Sequence, residues 1–160
     1  MKIIRKIETV LAKCEALAIT FILTLMILFS FGQVILRNVF HEGILWADLF
    51  LRQAVLWVGF LGASLATREG RHISISILPT LIPESWKKGF GVAVSLSAGI
   101  ISAVLTVASW EFVKNEMDAK TILFLNIPTW TFQTVLPYSL VIITLRFLLQ
   151  ALDPTDKPES

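Results

Sequence analysis

The chain holds one cysteine, two histidines and few charges, and each shortage removes a class of function. A lone Cys14 cannot support a disulfide framework or a thiolate metal cluster, which leaves packing as its expected role. His41 and His72 fall after different apolar runs, on opposite sides of any membrane, so they cannot face each other as a haem-ligating pair. Acidic residues are missing from the interior of the apolar runs, so the intramembrane carboxylate that couples protons to export in small drug exporters is not evident. No nucleophile elbow, phosphate-binding glycine loop or metal-spaced His and Glu cluster is present. Catalysis by this chain alone is not expected, and nothing in it calls for a cofactor.

Charge itself is scarce. Of 160 residues only 16% are charged and 55% are hydrophobic, and the mean hydropathy is +0.74, whereas soluble chains are about one-quarter charged. Lipid is the solvent that this composition fits. Uncharged runs extend over Ala16 to Leu36, Gln53 to Thr67, Gly89 to Trp110 and Thr121 to Leu145. A hydrocarbon core needs about 20 helical residues, and the second run reaches that length if its helix starts near Trp46 and carries Asp48 and Arg52 in its first turns, with Arg52 snorkelling to the headgroups. The expected fold is therefore an all-α integral membrane bundle of four transmembrane helices at about 16–36, 46–68, 89–111 and 126–147. It forms a single domain over 1–152, followed by a polar tail, 153–160, that contains two prolines.

The distribution of basic residues orients the bundle. Lys2, Arg5, Lys6 and Lys13 precede the first span, Arg68, Arg71, Lys87 and Lys88 lie between the second and third, and Arg146 and Lys157 stand at the tail end of the chain. Only Arg37, Arg52, Lys114 and Lys120 lie on the other side. The positive-inside rule then puts both termini and the middle loop in the cytoplasm. The net charge of +2 follows from this topology and implies no nucleic-acid partner. The first run is too long for a signal-peptide core and lacks a small-residue cleavage site, so it reads as an uncleaved signal anchor. Residues 2–14, with Ile3, Ile7, Val10, Leu11 and Cys14 on one helical face, form either an interfacial helix or the cytoplasmic extension of the first span.

Small residues predict where helices meet. Ser95, Gly99, Ser102 or Ala103, and Thr106 form a stripe on the third span, and Gly59, Ala63 and Ala66 form one on the second. Such stripes let backbones approach closely and predict packing, not a substrate path. Glu111, Lys114, Glu116, Asp118 and Lys120 read as a mixed solvated outer segment. The last helix begins near 126, or as late as Pro128, which would leave Ile122 to Ile127 as a loop. Pro137 lies inside that helix, where its missing N–H predicts a kink.

The most distinctive stretch runs from Arg37 to His72. Asp48 and Arg52 are four apart with the acid first, the favourable order for a helical ion pair, which serves either anchoring or contact with a partner. Trp46 suits the aromatic belt. Trp57, inside the second span, needs a partner for its indole N–H and is expected to face a helix or another subunit. Arg68, Arg71 and His72 suit the helix C-terminal dipole, and a single His there reads as a capping or interface residue before a proton carrier.

This pattern resembles the small membrane subunit of tripartite ATP-independent periplasmic (TRAP) transporters, the DctQ-like family. The resemblance rests on Arg37, Trp46 with Asp48, Arg52, Trp57, the Phe60 to Ala63 element that includes Gly62, and Arg68 with Gly70 and His72. Weaker matches are Ile127-Pro128 followed by Trp130, Leu136-Pro137, and Leu145-Arg146-Phe147. The family often has Glu directly after its first acidic position. Leu49 stands there in this chain, so no role of that Glu carries over. The resemblance implies a multi-pass subunit of the bacterial inner membrane within a sodium-driven importer of organic acids. Its partners would be a large multi-helix membrane subunit, a periplasmic substrate-binding protein that docks transiently, and membrane lipids. It further implies a noncatalytic bracing role, with Arg37, Trp46, Asp48, Arg52, Trp57, Gly62, Arg68 and His72 as scaffold, partner-interface or membrane-anchoring residues. The same four plain helices also fit a membrane anchor of a redox or signalling complex and, with less in their favour, an independent exporter.

Overall fold

A computed structural model describes residues 2–41, 43–68, 84–124 and 126–152. The expectations placed on Gly70, Arg71, His72 and the tail 153–160 lie outside the described residues.

The first helix, α1, runs Lys2–Ile35 without interruption. No proline occurs in it and Gly32 is its single glycine, so nothing separates the amphipathic start from the apolar run. The segment before the span is thus its helical extension. At about 51 Å, from 1.5 Å per residue, α1 exceeds the ~30 Å hydrocarbon core. It widens into a π-helical turn, Leu36–Phe40, which ends at His41 in the left-handed region (φ 54°). Helix α2, Leu45–Arg68, follows at once. Asp48 sits in its first turn and Arg68 in its last, each suited to the dipole at its end.

Helix α3 spans Glu84–Ala119. It absorbs Glu111, Lys114, Glu116 and Asp118 into its last turns, where a solvated outer segment was expected. No Pro or Gly interrupts that stretch, and Lys120, in the left-handed region (φ 50°), stops it. Ile122 to Ile127 is not a plain loop either. Strand β1 (Ile122–Phe124) pairs antiparallel with β2 (Ile127–Pro128), and Asn126 takes the positive φ (61°) of the turn. The Thr129 N–H and hydroxyl both donate to the Thr121 carbonyl, at 3.0 and 3.2 Å, and close the hairpin.

The last span is built from α4 (Thr129–Gln133) and α5 (Val135–Leu152), with Thr134 between them. Pro137 explains the break: its ring displaces the carbonyl four residues earlier and it offers no N–H in return. That carbonyl belongs to Gln133, the last residue of α4. Ladder bonding resumes with Tyr138 N–H to the Thr134 carbonyl at 3.2 Å.

Among the described residues four segments are long and apolar enough to cross a membrane: Glu8–Phe40, Leu45–Arg68, Gly89–Ala119 and Thr129–Leu152. The fold is an all-α integral membrane bundle of four transmembrane helices. α2 packs against both α1 and α5, and α5 packs most extensively against α3. The order across the bundle is therefore α1, α2, α5, α3. The α3–α5 seam uses the expected stripe. Gly99 and Ser102 are buried, and a Cβ added at Gly99 would lie 3.5 Å from Phe147 Cβ. The stripe expected on α2 is not its contact face. Gly59 is exposed with open space around it, and the buried residues are Ala47, Ala54, Leu61, Ser64 and Thr67. Their spacing of seven and three keeps one side of α2 against its neighbours, and small size alone did not identify that side.

Large apolar side chains cover the exterior, among them Leu17, Phe21, Ile27 and Phe31 on α1 and Ile100, Ile101, Val104 and Val107 on α3. In lipid this exposure carries no hydrophobic penalty, so cohesion depends on close packing and polar contacts. Hydroxyls facing lipid or packed seams bond within their own helix: Thr20, Thr24, Thr67, Thr106 and Thr144 each donate to the carbonyl four residues back at 2.8–2.9 Å. That satisfies them without water.

Candidate functional site

Arg146 projects from α5 into the seam with α1 and α2 and is only 3% exposed. Its Nη2 donates to Glu15 Oε2 at 2.8 Å, and its Nη1 donates to Ser64 Oγ at 2.7 Å and to the Ser64 carbonyl. The Ser64 hydroxyl in turn donates to Glu15 Oε1 at 2.9 Å. Glu15 is 3% exposed and Ser64 fully buried. One residue from each of three helices thus closes a ring of charge-assisted hydrogen bonds. In a low-dielectric seam a lone charge is costly, and the two side chains serve as each other's counter-charge. Glu8, seven residues before Glu15 and on the same face of α1, places Oε1 4.0 Å from Arg146 Nε.

Further polar contacts continue this clamp along the same three helices. Arg68 Nη2 donates to Thr9 Oγ1 at 3.2 Å, tying α2 to α1. Gln150 Nε2 donates to the Thr67 carbonyl at 2.7 Å, tying α5 to α2. At the opposite end of α1 a second fastening holds the link to α2. Gln33 Nε2 donates to the Ile44 carbonyl at 2.8 Å and to Asp48 Oδ1 at 3.1 Å. Phe29 meets Trp46 and Phe50 edge-on, with centroids 5.7 and 5.6 Å apart. Between the two fastenings lies an open cleft of about 460 Å³, floored by Trp57 and Leu61 of α2 and walled by Glu15 and Ala18 of α1 and Val135 and Tyr138 of α5. Cys14, expected to pack, is exposed at this cleft.

The residues singled out from the sequence are dispersed, not gathered. Arg37 lies exposed in the π-helical turn. Trp46 packs its ring against Phe29. Asp48 is held by Gln33, not by Arg52: among the described residues the Asp48–Arg52 ion pair does not form, and Arg52 is exposed. The α1–α2 link is short enough to bring Gln33 to Asp48, and an interhelical amide displaces the weak exposed ion pair. Trp57 faces a helix, its indole N–H donating to the Phe132 carbonyl at 2.9 Å beside the break in the last span. Gly62 has open space around it, so close approach of a neighbouring backbone does not require a glycine there. Arg68 joins the clamp through Thr9.

Glu15 and Ser64 were not singled out, and Arg146 entered only through the weaker Leu145-Arg146-Phe147 match. Arg146 was counted with the cytoplasmic tail because it follows a long apolar run, but Phe147, Leu148 and Leu149 come after it. An arginine flanked on both sides by apolar residues signals an intramembrane partner. Glu15 stands at the edge of the first uncharged run, where it reads as a boundary charge.

Comparison with known proteins adds a family. Residues 26–156 match the family described as tripartite ATP-independent periplasmic transporters, DctQ component. The chain is 24% identical over 151 residues to the ectoine TRAP transporter small permease protein TeaB of Halomonas elongata, covering 94% of this chain and 78% of that protein. It is 28% identical over 98 residues to the C4-dicarboxylate TRAP transporter small permease protein DctQ of Vibrio cholerae, 61% of this chain and 42% of that one. It is 34% identical over 88 residues to the sialic acid TRAP transporter permease protein SiaT of Haemophilus influenzae, 55% of this chain and 13% of that one. The matched segments therefore span well under two thirds of the length of the last two relatives. Four membrane-crossing helices and a family match over most of the chain lead to one assignment: this is a multi-pass protein of the bacterial inner membrane that belongs to the DctQ family of TRAP transporter small permease subunits.

Proposed function

We propose that the chain is the noncatalytic scaffold subunit of a sodium-coupled, binding-protein-dependent importer of organic acids, bracing a larger membrane subunit that carries substrate and ions. The observation that carries this reading is the use made of the intramembrane charges. Glu15 and Arg146 are consumed in tying α1, α2 and α5 together, which suits a rigid brace and leaves neither poised to exchange an ion.

Two features of the relatives support it. The segment similar to this chain makes up only 13% of the sialic acid permease protein, so there it is joined to a much longer chain. The relatives are named for sialic acid, C4-dicarboxylates and ectoine, all of which carry carboxylates. Sodium as the driving ion rests on the family resemblance, and the cytoplasmic placement of both termini rests on the basic residues. Arg37, Trp46 and Arg52, exposed toward the α1–α2 link, serve anchoring or contact with the large subunit.

Reconstitution into liposomes tests the reading. With an inward sodium gradient and the cognate binding protein, organic acid uptake is expected only when this chain and the large subunit are both present. Uptake by this chain alone, or full uptake by the large subunit alone, would overturn it.

A further inference from the structure

Ser139 departs from the habit of the other hydroxyls in the spans. Thr144, on the same helix, donates to the Leu140 carbonyl at 2.8 Å, but the Ser139 hydroxyl, on a residue with 0% exposure, has no partner. Two other buried side-chain oxygens share that condition, Gln53 Oε1 on α2 and Gln133 Oε1 at the end of α4. The Gln133 backbone adds a fourth acceptor. The carbonyls around it are answered: Thr131 by the Thr134 hydroxyl at 2.7 Å, Phe132 by the Trp57 indole at 2.9 Å and Thr134 by the Tyr138 N–H at 3.2 Å. The helical donor for the Gln133 carbonyl would be residue 137, and proline has no N–H.

These oxygens belong to one seam. Gln53 lies four residues before Trp57 and eleven before Ser64, on the face of α2 that bonds to the last span through both. Ser139 lies seven residues before Arg146 and eleven before Gln150, the α5 side chains that bond to α2. Gln133 adjoins Phe132, whose carbonyl takes the indole bond. The helical repeat therefore turns all three toward the contact between α2 and the break in the last span. The cleft lined by Trp57, Thr134 and Val135 adjoins this contact and gives a path of entry.

Bare oxygens in hydrocarbon are costly, and the burial of these limits what can answer them. Ser139 and Gln133 are 0% and 9% exposed, so the occupant is one that this chain encloses by itself. An acyl chain has no donor. A cation suits oxygens, but Glu15 is engaged by Ser64 and Arg146 and Asp48 by Gln33, so its charge would stand uncompensated. Water is small and neutral, donates two bonds and accepts others, and answers either amide whichever way its oxygen and nitrogen are turned. We infer that the break in the last span holds a buried water site bounded by Gln53, Gln133 and Ser139, in which water supplies the donor that Pro137 lacks. The bend is then fastened to α2 twice, directly by Trp57 and through water by Gln53.

The test isotope-labels the full chain, purifies it with its large subunit and places the complex in bilayers of deuterated lipid, where solid-state NMR follows magnetisation passed from water. Transfer to Ser139 and to the side-chain amides of Gln53 and Gln133 is expected to be several-fold faster than to Thr67, which is 1% exposed and bonded to the Ala63 carbonyl. Equal transfer at Ser139 and Thr67 overturns the inference. Shifts of these signals when sodium is exchanged for choline at constant ionic strength would place a cation there and overturn it as well. Ser139→Ala gives a second readout, because it removes one anchor of the water. Transfer to Gln133 is then expected to fall roughly twofold, and the SDS midpoint of unfolding is not expected to rise. Unchanged transfer, or a folded S139A chain with a higher midpoint, as removal of a bare oxygen would give, contradicts the site.

Discussion

Replacing Glu15 with methionine removes the carboxylate that accepts from Arg146 at 2.8 Å and from Ser64 at 2.9 Å. The guanidinium, 3% exposed, keeps its bonds to Ser64, and the other carboxylate beside it is Glu8, with Oε1 4.0 Å from Nε. Breaking a buried ion pair in soluble proteins costs about 3–5 kcal/mol. Interhelical hydrogen bonds in membranes average ~0.6 kcal/mol, because separated helices find other partners in lipid. Here a charge loses its counter-charge, which argues for the upper figure, but Glu8 is close enough to swing in. The expected loss is about 2 kcal/mol, between the two limits. At 1.4 kcal/mol per decade that lowers the folded-to-unfolded ratio roughly thirtyfold. Arg146→Met leaves Glu15 buried and costs a similar amount. The double variant removes both charges and fills the seam with apolar atoms, so it is expected within about 1 kcal/mol of the native chain. The coupling between the sites is then at least about 3 kcal/mol. Equilibrium unfolding in mixed micelles with increasing SDS, followed by circular dichroism, measures all four corners of the cycle. Additive single effects, with coupling below ~0.5 kcal/mol, would refute the account of the clamp.

Gly99→Ala is expected to be neutral or to stabilise by up to about 1 kcal/mol, since the new Cβ meets Phe147 Cβ at an ordinary 3.5 Å and helix propensity improves. Gly99→Leu is expected to part α3 from α5 and cost about 1–3 kcal/mol, read as a lowered melting temperature. Pro137→Ala restores an N–H and removes the ring that displaces the Gln133 carbonyl, so α4 and α5 are expected to merge. A slowly exchanging amide at position 137 would show it, and a break that persists at Thr134 would assign the kink to another cause. Trp57→Phe removes the bond to the Phe132 carbonyl and is expected to cost about 1 kcal/mol in the same micelle titration, with no change counting against it. Arg52→Ala is expected to lower the yield of co-purified large subunit and to leave the order of preferred substrates unchanged in transport assays. A changed substrate order with assembly intact would contradict that.

The legible parts of the fold share a physical character. Span number follows from hydropathy, which each segment carries by itself whatever its neighbours do. The kink at Pro137 was legible because proline acts on its own helix, and the partner for the Trp57 indole was expected because an N–H in hydrocarbon must be answered. Two expectations failed for a common reason. Asp48 and Arg52 have the right spacing within α2, but Gln33 on another helix holds Asp48. Gly59, Ala63 and Ala66 form a stripe, yet α2 turns Ala47, Ala54 and Leu61 inward. Small residues permit an approach without selecting one, and the choice of face depends on what the facing helices offer.

The sequence by itself determined a lipid-embedded chain of four helices, the break in the last of them, and membership of a family of transporter subunits through the pattern from Arg37 to His72. Only the tertiary structure decided that Arg146 is an internal residue, not a boundary charge. Its partners Glu15 and Ser64 lie 131 and 82 residues away, and Glu15 stands outside the matched family region. Hydropathy is a sum over neighbours in the chain and resolves such features locally. A buried ion pair is a property of two distant residues and the third helix that holds them together, and it exists only once α1, α2 and α5 have packed.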